Sequence, residues 1–119
     1  MKNIKRGQIW DVDLKPTKGA EIEKERPCVV VSSDRMHKIP LKLVVPVTGW
    51  NDHYQNYIWH VKIKPSPQNG LAKISSANAF QVRTVSVERF TRYRGYVSQD
   101  VIDDIVSAIA IVVELDSLT

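Results

Sequence analysis

Residues Cys28-Val29-Val30-Val31 form a run with no polar face, entered directly from Arg26-Pro27. A strand on a sheet with one wet side alternates apolar and polar residues. This run does not alternate, so it reads as a strand over 28–32 covered on both sides. At 119 residues the chain can build one core, not two, and the other elements must pack around this strand.

Residues 8–14 read as a strand with Trp10, Val12 and Leu14 on one face and Asp11 and Asp13 on the other. A charged loop follows over 15–25, broken by Pro16 and Gly19. After a polar connection over 33–40, Leu43 to Thr48 is a second apolar strand and 49–56 a polar loop. Residues 57–63 alternate, with Tyr57, Trp59, Val61 and Ile63 on one side. Pro65, Pro67 and Asn69-Gly70 predict a turn, and 71–77 and 79–86 complete the β portion. The period then changes. Val101, Ile102, Ile105, Val106, Ile109, Val112 and Val113 recur at helical spacing, with Ser98 placed to cap the start and Asp100 and Asp103 at the positive end of the helix dipole. Several short strands followed by one terminal helix predict a mainly β fold, a small curved barrel with the helix attached.

Composition excludes some classes. No apolar run approaches the roughly 20 residues that span a bilayer, and the start Met-Lys-Asn-Ile-Lys-Arg has no signal-peptide pattern. Cys28 is alone, which excludes an internal disulfide, fits a reducing cytoplasm and suits a small core residue. The net charge of +4 fits a polyanionic partner but does not by itself identify one. Arg83, Arg89, Arg92 and Arg94 crowd one segment with Phe90, Tyr93 and Tyr96 among them. That segment reads equally as an RNA-facing patch or as a solvated turn.

For chemistry, His37, His53 and His60 lack zinc-ligand spacing, and the chain has neither a Gly-rich phosphate loop nor a Gly-x-Ser-x-Gly elbow. His53 and His60 could form an acid–base pair, although their settings, a polar loop and the polar face of a strand, favour structural or surface roles. Arg26, Thr48 and Gln81 are stronger candidates, each at a predicted strand end where a barrel gathers distant side chains. A guanidinium donates two parallel hydrogen bonds to phosphate oxygens and stabilises the charge that develops on them. A Thr hydroxyl can donate to the same group, and a Gln amide can position a base. The same residues also fit an ion pair of Arg26 with Glu23 and an ordinary strand end at Thr48.

Five segments decide between these readings. Arg6-Gly7-Gln8-Ile9-Trp10, Pro16-Thr17-Lys18-Gly19-Ala20-Glu21, Arg26-Pro27 with its apolar run, Val44-Val45-Pro46-Val47-Thr48 and Gln81-Val82-Arg83-Thr84 resemble, in order, the signature segments of the MazF/PemK toxin family. The resemblance spans nearly all of 1–119 and ends in the family's terminal helix. It implies an SH3-like β-barrel homodimer in the cytoplasm that cleaves single-stranded RNA at short motifs, with no cofactor or metal. The ribose 2′-OH would attack the adjacent phosphate, leaving 2′,3′-cyclic phosphate and 5′-OH ends. The partner would be a cognate antitoxin whose acidic segment fills the basic groove.

By position the resemblance assigns reaction roles to Arg26, Thr48 and Glu21. It assigns RNA contact to Gln81, Arg83, Phe80 and Lys18, with the loop over 15–25 flanking the groove. Phe80 departs from the family, where many members carry Asp or Glu; it cannot take a proton but can stack on a base. Asn78 stands where some relatives have Arg, and Ala20 where some have His. Arg26 stays charged, so the proton acceptor is left open. Two alternatives are a gyrase-inhibiting toxin like CcdB, which uses an aromatic-containing C-terminal end unlike Glu114-Leu115-Asp116-Ser117-Leu118-Thr119, and a catalytically silent barrel that only binds RNA or protein.

Overall fold

A computed structural model describes residues 2–115. The last four residues of the C-terminal end weighed above, 116–119, lie outside that range. Strands β1 (Gln8–Asp13), β2 (Glu25–Val30), β3 (Leu41–Gly49), β4 (His60–Ile63), β5 (Ser75–Asn78), β6 (Arg83–Ser86) and β7 (Phe90–Tyr96) precede helix α1 (Gln99–Val112). Short 3-10 turns stand at Asp34–Met36, Asp52–Asn56, Ala79–Gln81 and Val87–Arg89. The strands form one antiparallel sheet in the order β4-β5-β3-β2-β1-β7, with β6 also on β3.

The Val run behaves as its lack of a polar face requires. Val29 and Val31 join Ile9, Val45 and Val47 under Ile102, Ile105 and Ala108 of α1. Cys28 and Val30 join Trp10, Val12, Leu14, Val44, Val85 and Phe90 on the opposite side. Helix α1 starts where its cap dictates, with Ser98 Oγ accepting the Val101 N–H at 3.3 Å. No helix among the described residues is long and apolar enough to cross a membrane.

The barrel is a loose one. Among the described residues no hydrogen-bonded ladder joins β7 to β4, so the sheet curves without closing. The gap is spanned by the predicted turn at 65–70, whose Gln68 carbonyl accepts the Tyr96 N–H at 2.9 Å. Backbones approach so closely there that a β-carbon on Gly95 would sit 2.0 Å from the Gln68 carbonyl oxygen, and one on Gly70 2.3 Å from that of Arg94. Only glycine fits at either position.

Other boundaries moved for local reasons. Strand β2 begins at Glu25 rather than residue 28, because Glu25 and Arg26 continue the pairing with Asp13 and Val12 of β1. Pro27, with no N–H to give, falls just before β3 pairing starts at Cys28. Of the predicted 57–63 strand only His60–Ile63 pairs, and Tyr57 and Ile58 are exposed. The 79–86 strand is broken by the Ala79–Gln81 turn, whose first N–H after Ala79 is taken by Asn78 Oδ1 at 3.1 Å.

The arginine-rich segment is not one turn: Arg83 lies in β6, Arg89 in the 3-10 turn, and Arg92 and Arg94 in β7, where Arg92, Tyr93 and Tyr96 are exposed. Strand β7 is anchored by Phe90, only 1% exposed and packed edge-on against Trp10 at 5.9 Å. Asp11, on the face opposite Trp10 and Val12, is buried and meets Arg94 Nε at 2.5 Å. An isolated buried carboxylate would be costly, and this guanidinium compensates it.

Candidate active site

In the β2–β3 ladder Cys28 lies opposite Pro46, Val29 opposite Val45 and Val30 opposite Val44. Continued two residues along each strand, that register sets Arg26 opposite Thr48. Side chains alternate with period two, so Arg26 shares the sheet face of Cys28 and Val30, and Thr48 that of Val44. Both are half-buried at the end of the sheet. Arg26 Nε donates to the Glu23 carbonyl at 3.3 Å. The ion pair with the Glu23 carboxylate allowed by the sequence is not formed among the described residues. Beyond Thr48, β3 passes to β5, with Thr48 opposite Ser76.

An open cleft of about 600 Å³ is lined by Glu21, Ile22, Pro46, Phe80, Gln81 and Arg83, among others; neither Arg26 nor Thr48 is in its lining, and Pro46, two residues before Thr48 on β3, is the link between them. One wall is the 15–25 loop, which is fixed along its length. Arg89 Nη1 donates to the carbonyls of Asp13, at 3.0 Å, and Lys15. Arg83 Nη1 donates to that of Leu14 at 3.3 Å. Near the tip, Gln81 Oε1 accepts the Ile22 N–H at 2.6 Å while Gln81 Nε2 donates to the Ala20 carbonyl at 3.2 Å. Ile22 packs against the core beneath. The Gln81 amide thus holds the loop backbone as a neighbouring strand would, and Arg83 does the same lower down. The sequence placed Arg89 among the clustered arginines but gave no sign that it anchors this loop, because its partners are backbone carbonyls with no residue-type signature.

The tip turns on itself. Glu21 Oε1 accepts the Lys18 N–H at 2.5 Å, and the Lys18 carbonyl accepts the Glu21 N–H at 3.1 Å. Both side chains are exposed; Glu21 faces the cleft, whereas Lys18 is not part of its lining. Phe80, 61% exposed, forms the opposite rim. The structure therefore gathers Glu21, Gln81, Phe80 and Arg83 around one cleft, with Arg26, Thr48 and Lys18 outside its lining.

Two other nucleophile or base candidates are not in the cleft lining. The Cys28 thiol is buried and pushed up to about 12 by desolvation, against the opposing pull of Arg83 and with a smaller push from Asp11. Burial also lowers the His60 pKa, favouring the neutral ring, whose Nδ1 meets Ser76 Oγ at 2.8 Å and which stacks on Tyr54 at 3.7 Å. His53 sits exposed on its own turn. Among the described residues no three His, Cys, Asp or Glu side chains gather closely enough to hold a metal.

Residues 5–113 match the family model described as PemK-like, MazF-like toxin of type II toxin–antitoxin system. The chain is 38% identical over 101 residues to endoribonuclease MazF9 of Mycobacterium tuberculosis, covering 80% of this chain and 83% of that protein. The crystal structure of MazF from Deinococcus radiodurans superposes with a TM-score of 0.76 at 18% identity, covering 94% of this chain and 97% of the other. A mycobacterial endoribonuclease in complex with its cognate antitoxin superposes equally well, at TM-score 0.76 and 21% identity, covering 97% and 99%.

Proposed function

From the premise that this chain belongs to the PemK-like, MazF-like toxin family, we infer the chemistry that its cleft performs. The protein is the endoribonuclease of a toxin–antitoxin pair, with single-stranded RNA as substrate and a cognate antitoxin as partner. Its reaction needs no metal. The ribose 2′-oxygen attacks the adjacent phosphorus, the bond to the 5′-oxygen breaks, and a 2′,3′-cyclic phosphate and a 5′-OH result.

Arg26 binds the scissile phosphate with two N–H groups and stabilises the charge that builds on its oxygens. Thr48 donates its hydroxyl to the same phosphate and orients it. Glu21 takes the 2′-OH proton, being the one carboxylate among the residues that line the cleft. The departing 5′-oxygen draws its proton from solvent. Arg83, Phe80 and Lys18 contact the RNA on either side. Gln81 holds the loop that carries Glu21 and releases it to meet RNA. The lone reduced Cys28 suits the cytoplasm, where RNA and antitoxin are met, and the same reading carries a homodimer.

The observation supporting this assignment is the β2–β3 register, which, continued from Cys28 opposite Pro46, sets Arg26 opposite Thr48 on the face of Pro46, itself part of the cleft lining. Incubating a long defined RNA with the protein in EDTA and mapping 5′-OH ends tests it. Arg26→Ala should abolish cleavage with the circular dichroism spectrum unchanged, and Glu21→Gln should reduce it by about 10²- to 10⁴-fold, the usual range for a positioned acid–base group. Undiminished cleavage by Arg26→Ala overturns the assignment.

A further inference from the structure

An unbroken chain of ring contacts leads away from the cleft. It begins at Phe80, meets Trp59 edge-on at 5.8 Å and continues to Tyr57, stacked on Trp59 at 4.9 Å. Tyr57 reaches His60 at 6.3 Å, His60 lies flat on Tyr54 at 3.7 Å, and Tyr54 meets Trp50 edge-on at 5.7 Å. The two rings most open to solvent are Phe80 at 61% and Tyr57 at 45% exposure, on either side of Trp59. The Lys62 ammonium stands 5.1 Å from the Trp50 ring centre at the far end. The Lys73 ammonium lies against Gly49, 3.1 Å from where a β-carbon would be, beside Thr48.

We propose that this ring chain is a base-stacking platform for the single-stranded RNA next to the scissile phosphate, with Phe80 and Tyr57 as its two open rings. The inference rests on the ribonuclease reading and adds where the flanking bases go. Every nucleobase has a π-face, so exposed aromatic rings bind single strands with little dependence on sequence. The rings are already ordered, by His60 on Ser76 Oγ at 2.8 Å and by the Asn51 cap that accepts the His53 N–H at 3.0 Å. Little side-chain freedom is left to lose when a strand binds. Lys62 and Lys73 both stand at the Trp50 end of the rings, and neither has a salt-bridge partner among the described residues. Phosphates satisfy such cations; an apolar protein surface would bury them unpaired.

The probe is a short fluorescein-labelled 2′-O-methyl single-stranded oligonucleotide, which lacks the attacking hydroxyl and so binds without being cut. Tyr57→Ala and Phe80→Ala should each weaken its binding by about 5- to 150-fold, the effect of losing one stacked base. Tyr57→Phe should bind like the parent, because the ring is retained. The slope of affinity against salt should stay unchanged in all three, since no phosphate-binding cation is removed. Parent-like affinity in both alanine variants overturns the platform. So does a change from dimer to monomer in sedimentation at unchanged affinity, which would make the rings an interface with a second copy. Cleavage of natural RNA by the parent is scored separately: binding without cleavage refutes the ribonuclease reading alone.

Discussion

Replacing Gln81 by Ala removes both bonds that tie the 15–25 loop near its tip. The bond to the Ile22 N–H, at 2.6 Å, is partly buried, and the bond to the Ala20 carbonyl, at 3.2 Å, is exposed. Net hydrogen-bond contributions run from about 0.5 to 1.5 kcal/mol. Taking about 1 for the shielded bond and about 0.5 for the exposed one, loop opening becomes easier by about 1.5 kcal/mol, roughly tenfold. The Arg89 and Arg83 bonds at the loop base, and Ile22 on the core, stay in place. The change should therefore be local opening, not global unfolding. Amide hydrogen exchange reports it directly: the Ile22 N–H should exchange roughly tenfold faster while amides in β1 and β2 keep their rates.

Gln81→Glu separates the two bonds, because it retains an acceptor for Ile22 but sets a carboxylate oxygen against the Ala20 carbonyl. Ile22 should then stay protected while proteolysis at Lys18 speeds up. Unchanged Ile22 exchange in Gln81→Ala would falsify the latch and leave Gln81 as an RNA contact alone.

Three further outcomes follow from buried or paired groups. Arg94→Leu leaves the Asp11 carboxylate buried without its partner and should cost about 3 kcal/mol in urea unfolding, whereas Asp11→Asn, leaving Arg94 able to turn to solvent, should cost about 1 to 2. Equal losses in the two variants would mean that solvent already screens the pair. The Cys28 thiol, buried and pushed up to about 12, should resist iodoacetamide in the native protein and react on unfolding; full native labelling contradicts its burial. Because burial lowers the folded His60 pKa below 6.5, the unfolded chain protonates first as pH falls. Stability should therefore decline from about pH 6.5 down to that lowered value and level off below it. Thermal melts of His60→Gln should lack this part of the slope, and an unaltered slope rules His60 out as its source.

The parts legible in the sequence are those governed by local rules. A Val run without a polar face demanded cover on both sides, and Ile9 with Val29 on one side and Trp10 with Cys28 on the other supply it. Helical spacing after Ser98 gave α1 almost to the residue. What stayed hidden depends on partners far along the chain. Strand β7 looked like a charged turn because Arg94 is compensated by Asp11 and the strand pairs with β1, some 80 residues earlier. The strand expected over 57–63 shrank because ring stacking among Tyr54, Tyr57, Trp59 and His60 holds its first residues away from the sheet.

For the site the division is similar. Residue types marked Arg26, Thr48 and Gln81 as candidates, because phosphate chemistry asks for particular functional groups and those groups are written in the chain; Glu21 entered only through the resemblance to the family. Tertiary structure alone decided that Arg26 and Thr48 share a face, since strand register is set by pairing between β2 and β3 and not by either strand alone. It also decided that Gln81 grips backbone atoms, which carry no signature in sequence. And it turned a departure from the family pattern, Phe80, into the first ring of a surface that no single segment encodes.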